Sequence, residues 1–228
     1  GQYMDYICDE VVPFVDSQYP TSASRDRRAV SGKSSGGYGA MVLSMMRPDV
    51  WGAFGSHAGD ALFECSYQPE FPRVARTLRD EFDGSIEVFL KHFKRIQSFE
   101  FGRDALPLST YGMACAYTPD PARPGHGLLP FEIATGRLID HLWERWLELD
   151  PVRMAPRHAD ALRSMRRIYL DAGNRDDFYL DLGAAAFGQE LDKLGVQYTL
   201  ELFDGTHSGT AYRYPAAVRE LVLALDAG

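Results

Sequence analysis

Ser34 sits in Gly32-Lys33-Ser34-Ser35-Gly36, a G-x-S-x-G string between the apolar pair Ala29-Val30 and the helix-compatible stretch Ala40 to Met46. In that setting the string puts a serine on a tight strand-to-helix turn, its hydroxyl over the sheet edge. Side chains at the flanking glycines would clash with the strand and the helix. A serine hydroxyl becomes a nucleophile at neutral pH only when a base takes its proton. His207 can be that base, in the turn Asp204-Gly205-Thr206-His207-Ser208-Gly209. An acid must then fix the imidazole tautomer and stabilise the imidazolium. Asp176 suits this role, on the loop after Arg167–Asp171, with Asp177 a close competitor and Asp171 a more distant one. The candidate set is Ser34, His207 and an acid, with Asp176 first among the carboxylates. The amide of Ser35 would face the developing oxyanion, and the positive end of the following helix would add to it. This is machinery for nucleophilic attack on a carbonyl.

Other candidates take lesser roles. His57 and Asp60, in Ser56-His57-Ala58-Gly59-Asp60, also follow an apolar run and are assigned to substrate binding or to turn chemistry. Asp60 is an outside candidate for the acid. Lys33 precedes Ser34, so the order G-x-x-x-x-G-K-[ST] of a phosphate loop is absent. Cys8, Cys65 and Cys115 are dispersed and form no C-x-x-C pair, which speaks against structural zinc and a disulfide framework. No metal site and no organic cofactor are expected.

Positioning these residues requires a core. The chain of 228 residues is 45% hydrophobic and 25% charged with a net charge of -8, values of a globular protein and not of a disordered one. The acidic balance excludes a basic nucleic-acid surface. No apolar run approaches the ~20 residues of a membrane span. The three thiols permit a cytoplasmic setting without demanding one. Short strands are expected at Ala29-Val30, Trp51–Ser56, Arg167–Asp171 and Tyr198–Phe203. Helices are expected at Ala40–Met46, Leu180–Leu194 with Gly195 as its stop, and Ala216–Ala227. A further helix at residues 3–18 is interrupted by Pro13. Strand, helix, strand, helix means a parallel α/β sheet. Residues 61–161 differ, with dense charge, aromatics at helical spacing and a Pro/Gly passage at Pro119–Pro130. They read as an inserted, mainly helical lid. The core is then split into residues 1–60, bearing the nucleophile, and 162–228, bearing the acid and the histidine. The aromatic stripes favour core packing, but Tyr117, Phe131, Trp143 and Trp146 are also candidates for a substrate pocket, with Tyr117 and Trp143 put forward as substrate-binding.

The stretch Arg27 to Ala40 resembles the nucleophile region of the bacterial esterase family that includes esterase D (S-formylglutathione hydrolase), enterochelin esterase and the mycolyltransferase antigens. Tyr169–Leu180 resembles that family's acid-bearing loop and Phe203–Ser208 its histidine loop. Glu10–Asp16 resembles the helix before the nucleophile strand. The resemblance implies an α/β-hydrolase fold, a doubly wound and mostly parallel sheet, with Ser34, Asp176 and His207 as its triad.

That fold carries further strands and an oxyanion-donating loop ahead of the nucleophile strand, whereas 27 residues precede Arg28. One oxyanion donor is worth roughly 3 to 4 kcal/mol. The expectation is that the N-terminal strands lie outside this chain, in a complementary N-terminal segment or a separate chain. A second copy of the same chain, forming a homo-oligomer, is the competing arrangement. The expected activity is a serine carboxylesterase acting on small acyl or aryl esters through an acyl-enzyme. The alternatives are acyl transfer to an alcohol by the same triad, and a catalytically silent subunit of a larger assembly.

Overall fold

Four short apolar stretches pair side by side as parallel strands. The computed structural model describes residues 2–226, so Gly1, Ala227 and Gly228 lie outside the described residues. Strands β1 (Ala29–Lys33), β2 (Ala53–His57), β3 (Arg167–Gly173) and β4 (Thr199–Phe203) form one sheet in the order β1-β2-β3-β4. The main helices of this α/β unit are α1 (Ser35–Met46), α2 (Leu180–Lys193) and α3 (Tyr214–Asp226). The sheet is therefore the parallel α/β sheet expected from the alternation of elements.

Each strand is held by what its faces bury. Phe54, Ile168 and Leu170 pack with Met41 and Met45 of α1 and Phe187 and Leu191 of α2. On the opposite face Ala53 packs with Leu221 and Leu225 of α3. Both faces are thus covered, as parallel strands require. The helix of residues 3–18 runs on through Pro13, with a wider π-turn at Tyr6–Val11 just before it. That turn absorbs the hydrogen bond the proline cannot donate. Its Cys8 packs with Leu43, Val50 and Trp51.

Two boundaries differ from expectation for identifiable reasons. β2 starts at Ala53 and not at Trp51, because Gly52 is pressed against the backbone of Arg25, where a Cβ would lie 2.2 Å from the Arg25 oxygen. Helix α1 starts at Ser35, five residues before the expected Ala40. Glycines are poor helix formers, but Gly37 lets the helix approach Gly59, where a Cβ would come within 2.8 Å of the Gly59 Cα.

The chain divides into one unit of Gly1–Ser66 with Asp150–Gly228, and a second of Tyr67–Leu149. Asp150 joins the first unit because its buried carboxylate accepts the amides of Leu62 (3.0 Å), Phe63 (2.9 Å) and Val152 (3.0 Å). Met154, Ala155 and Leu162 then enter the core beside Met41 and Phe54.

The second unit is helical, with its principal helices at Phe71–Glu81, Ile86–Phe93, Leu106–Tyr117 and Asp140–Leu147. Its centre is aromatic. Phe71 meets Trp143 edge-on at 5.4 Å and Trp146 at 5.7 Å. The buried Trp146 indole donates to Thr118 Oγ1 at 3.0 Å. The Pro/Gly passage is pinned by short bridges, Pro119 to Gly127 and Phe131 to Leu138.

Candidate active site

Ser34 follows β1 with φ 56° and ψ -126°, a backbone state that a non-glycine residue adopts only under constraint. The constraint is visible on both sides. The Ser34 amide donates to the His57 carbonyl at 2.9 Å, and the Ser34 carbonyl accepts the Tyr38 amide at 2.9 Å. A Cβ on Gly32 would lie 2.4 Å from the Gly36 backbone, so the chain can fold back here only over a glycine. The clash expected at both motif glycines holds for Gly32 alone, since a Cβ on Gly36 meets nothing within 4 Å. The second indispensable glycine is Gly37. Ser35 opens helix α1, and its hydroxyl donates to Asp60 Oδ2 at 2.9 Å.

Asp176 and His207 lie beyond the ends of the neighbouring strands β3 and β4. The His207 Nδ1 and Asp176 Oδ2 are 2.8 Å apart. An ionised carboxylate only accepts, so the ring donates from Nδ1 and leaves Nε2 free to accept a proton. The other Asp176 oxygen accepts the Phe178 amide at 2.9 Å. Burial pushes the Asp176 carboxyl up, but the His207 ring and the Phe178 amide outweigh it and hold the group below its ordinary value. The Phe178 ring stands edge-on to the imidazole at 5.0 Å.

The competing carboxylates are separated by their partners. Asp177 reaches only the His207 backbone amide, at 3.3 Å. Asp171 points to another histidine, accepting from His57 Nδ1 at 2.8 Å. His57, assigned to substrate binding or to turn chemistry, is 3% exposed and bonded to Asp171 inside the fold. Asp60 is buried beside the first turn of α1, in a loop bracketed by the positive-φ residues Ala58 (44°) and Leu62 (54°). Tyr117 and Trp143 belong to the second unit. Trp143 is 7% exposed within its aromatic core, and Tyr117 stacks edge-on to Trp146 at 5.1 Å. Among the described residues, no three His, Cys, Asp or Glu side chains converge as metal ligands. Among them, too, no helix is long and apolar enough to cross a membrane.

A family model described as "Putative esterase" matches residues 1–215. The chain belongs to this esterase family. Solved structures similar to this chain include a ferulic acid esterase, with a TM-score of 0.54 at 16% identity. The match covers 98% of this chain and 60% of that one. An S-formylglutathione hydrolase from Staphylococcus aureus matches with a TM-score of 0.51 at 16% identity, covering 99% of this chain and 61% of that one. One from Agrobacterium tumefaciens matches at 0.53 and 15%, covering 97% and 57%. No curated protein matches. The likenesses carry the α/β-hydrolase fold, and the chain spans about three fifths of the length of these structures.

Arg213 is the neighbour that reading the sequence did not single out. Its guanidinium donates to Asp171 Oδ2 at 3.3 Å and to the Tyr169 hydroxyl at 3.0 Å, and it also bonds Glu201. The one available signal was its place six residues after His207, where the chain turns into the last helix.

Proposed function

We propose that the esterase is a serine carboxylesterase acting on small acyl or aryl esters, with Ser34 as nucleophile, His207 as general base and Asp176 as its orienting acid. The observation that carries the reading is the 2.8 Å contact between His207 Nδ1 and Asp176, with the imidazole Nε2 left to accept a proton. The strained turn at Ser34, at the end of a parallel strand of the same sheet, supports it.

The steps follow from those atoms. His207 Nε2 takes the Ser34 proton as Oγ attacks the ester carbonyl. Asp176 stabilises the imidazolium. The Ser35 amide, at the positive end of α1, meets the charge on the tetrahedral oxygen. The alcohol departs with the proton from His207, leaving an acyl-serine. Water gives its proton to His207, attacks the acyl carbon, and Ser34 is regenerated with release of the acid. A second oxyanion amide would come from a segment or chain pairing along β1, which among the described residues has β2 as its one neighbour.

Labelling with a fluorophosphonate tests the reading. The purified protein is expected to label at Ser34, and Ser34→Ala to abolish it. A wild-type protein that fails to label, or a Ser34→Ala variant that still labels, refutes it. Running the ester assay with added alcohol acceptors separates hydrolysis from acyl transfer.

A further inference from the structure

The end of the sheet holds a second Asp–His pair. The register aligns His57 on β2, Asp171 on β3 and Glu201 on β4. The three therefore share one face of the sheet, since side chains alternate along each strand. It is the face covered by α3. His57 gives its Nδ1 proton to Asp171 Oδ1 at 2.8 Å, and its ring lies edge-on to Tyr214 at 4.8 Å. At 3% and 2% side-chain exposure the pair cannot meet a substrate.

Arg213 closes this row. It holds the second oxygen of Asp171 at 3.3 Å, the Tyr169 hydroxyl at 3.0 Å and Glu201. The Tyr169 hydroxyl in turn donates to Glu201 at 3.2 Å. Below the guanidinium lies the Phe203 ring, 5.0 Å from the Arg213 Cζ. Every oxygen of Asp171 is thus occupied, one by the ring of His57 and one by Arg213.

Arg213 is also the downstream end of the segment that carries His207. Strand β3 and the loop after it therefore make two charged contacts with one segment. Asp171, within β3, holds it at Arg213, and Asp176, on the loop after β3, holds it at His207. A loop tied at both points cannot slide without breaking one of them. Between the two ties, residues 208 and 209 are exposed and Gly209 has a φ of 71°. Those two residues add little packing beside the imidazole, and the buried Thr210 lies beyond them on the Arg213 side.

We infer that Arg213, seated on Asp171 and backed by His57, is a positioning residue that holds the general base His207 on Asp176. The inference rests on the esterase reading for its kinetic consequence. Displacing a catalytic group by about 1 Å costs up to ~100-fold in rate. The enclosed His57–Asp171 pair with its Arg213 contact contributes little net stability against apolar replacements, so holding geometry is the better account of it.

The test uses the full chain with Arg213→Met and Arg213→Lys. Three quantities are read: kcat and KM on a 4-nitrophenyl ester, the rate of fluorophosphonate labelling, and the far-downfield imidazole N–H resonance of His207. That resonance is assigned by its loss in His207→Gln. Arg213→Met is expected to lower kcat and the labelling rate together by about 10- to 100-fold, with KM unchanged and the His207 resonance broadened or lost. Arg213→Lys is expected to recover part of the rate and of the resonance. If Arg213→Met does not fold, Arg213→Lys carries the test, because it keeps a cation for Asp171 and Glu201. A folded Arg213 variant with wild-type labelling and a sharp His207 resonance overturns the inference. Loss of activity with the resonance unchanged overturns it equally. A wild-type protein that does not label overturns the esterase reading instead, and the resonance then still decides whether Arg213 holds His207.

Discussion

Replacing Asp176 by Asn tests the acid directly, because both carboxylate oxygens have fixed partners. Oδ2 takes the His207 ring proton and Oδ1 takes the Phe178 amide. Asparagine offers one oxygen and one NH2. If the oxygen stays on Phe178, the NH2 faces His207 Nδ1. The ring must then carry its proton on Nε2, the atom that has to accept from Ser34. If the amide flips, two donors meet at Phe178, at a cost of about 1–3 kcal/mol. The working tautomer is then a minor population, and the imidazolium has lost its counter-charge, worth about another 1.5–3 kcal/mol. Together these give a fall in kcat/KM of about 10²- to 10⁴-fold, the upper end matching the loss known for the corresponding change in a serine-protease triad. The assay is hydrolysis of a 4-nitrophenyl ester, with Asp177→Asn alongside. Asp177 touches only the His207 backbone amide, so its variant should lose no more than about tenfold. Retention of more than about a tenth of the activity by Asp176→Asn, or a larger loss in Asp177→Asn, would refute the assignment of the acid.

Stability carries a second signature of Asp176. Its carboxyl lies below the ordinary value in the fold, so its contribution is present above about pH 3.9 and is lost as pH falls through the lowered folded value. The melting-temperature advantage of wild type over Asp176→Asn should therefore shrink on acidification, and an advantage that grows would contradict it. Gly32→Ala should unfold or precipitate, because its Cβ would meet backbone at 2.4 Å, whereas Gly36→Ala, with open space and a helical position, should gain about 0.4–1 kcal/mol in urea melts. Asp150→Ala strips three amides of their acceptor, that of the buried Phe63 among them. It should cost several kcal/mol at about 1–3 kcal/mol per orphaned group, read by chemical denaturation. Trp146→Phe removes the donor to Thr118 Oγ1 inside the second unit and should lower stability by about 1–3 kcal/mol.

The elements with an alternating or continuous apolar pattern were the ones most open to reading from sequence. Arg167–Gly173 and Thr199–Phe203 alternate or run apolar, and helix α2 ends at a glycine with φ 67°, so their positions follow from composition alone. The start of α1 was hidden because three glycines in its first turns look like a loop. Only the close approach of Gly37 to Gly59, a contact between residues 22 apart, explains why the helix takes them. The bounds of the unit Tyr67–Leu149 were hidden for the same reason. Residues 150–163 look like the helices before them, and their place in the α/β unit depends on Asp150 reaching back to Leu62 and Phe63.

Two Asp–His pairs at one end of a sheet show what sequence leaves open. His57 and His207 both follow an apolar strand, both sit near glycine, and each has aspartates nearby. The decision between them is made by depth. His57 ends β2, an interior strand flanked by β1 and β3, and α3 closes over its ring. His207 follows the edge strand β4, on a loop whose flanking residues are exposed, and keeps 12% of its side chain open. A base must reach both a nucleophile and water, so the histidine at the open strand suits catalysis and the enclosed one suits anchoring. Asp171 and Asp176 are separated by the same logic. Asp171 lies within β3 and is shared between a ring and a guanidinium that cannot leave it. Asp176 lies beyond the strand end, where the loop can hold an imidazole at one oxygen and a backbone amide at the other. If depth is the deciding variable, His57→Gln should leave Ser34 labelling within about tenfold of wild type, while His207→Gln should abolish it. Labelling lost equally in both would mean that the buried pair takes part in the chemistry after all.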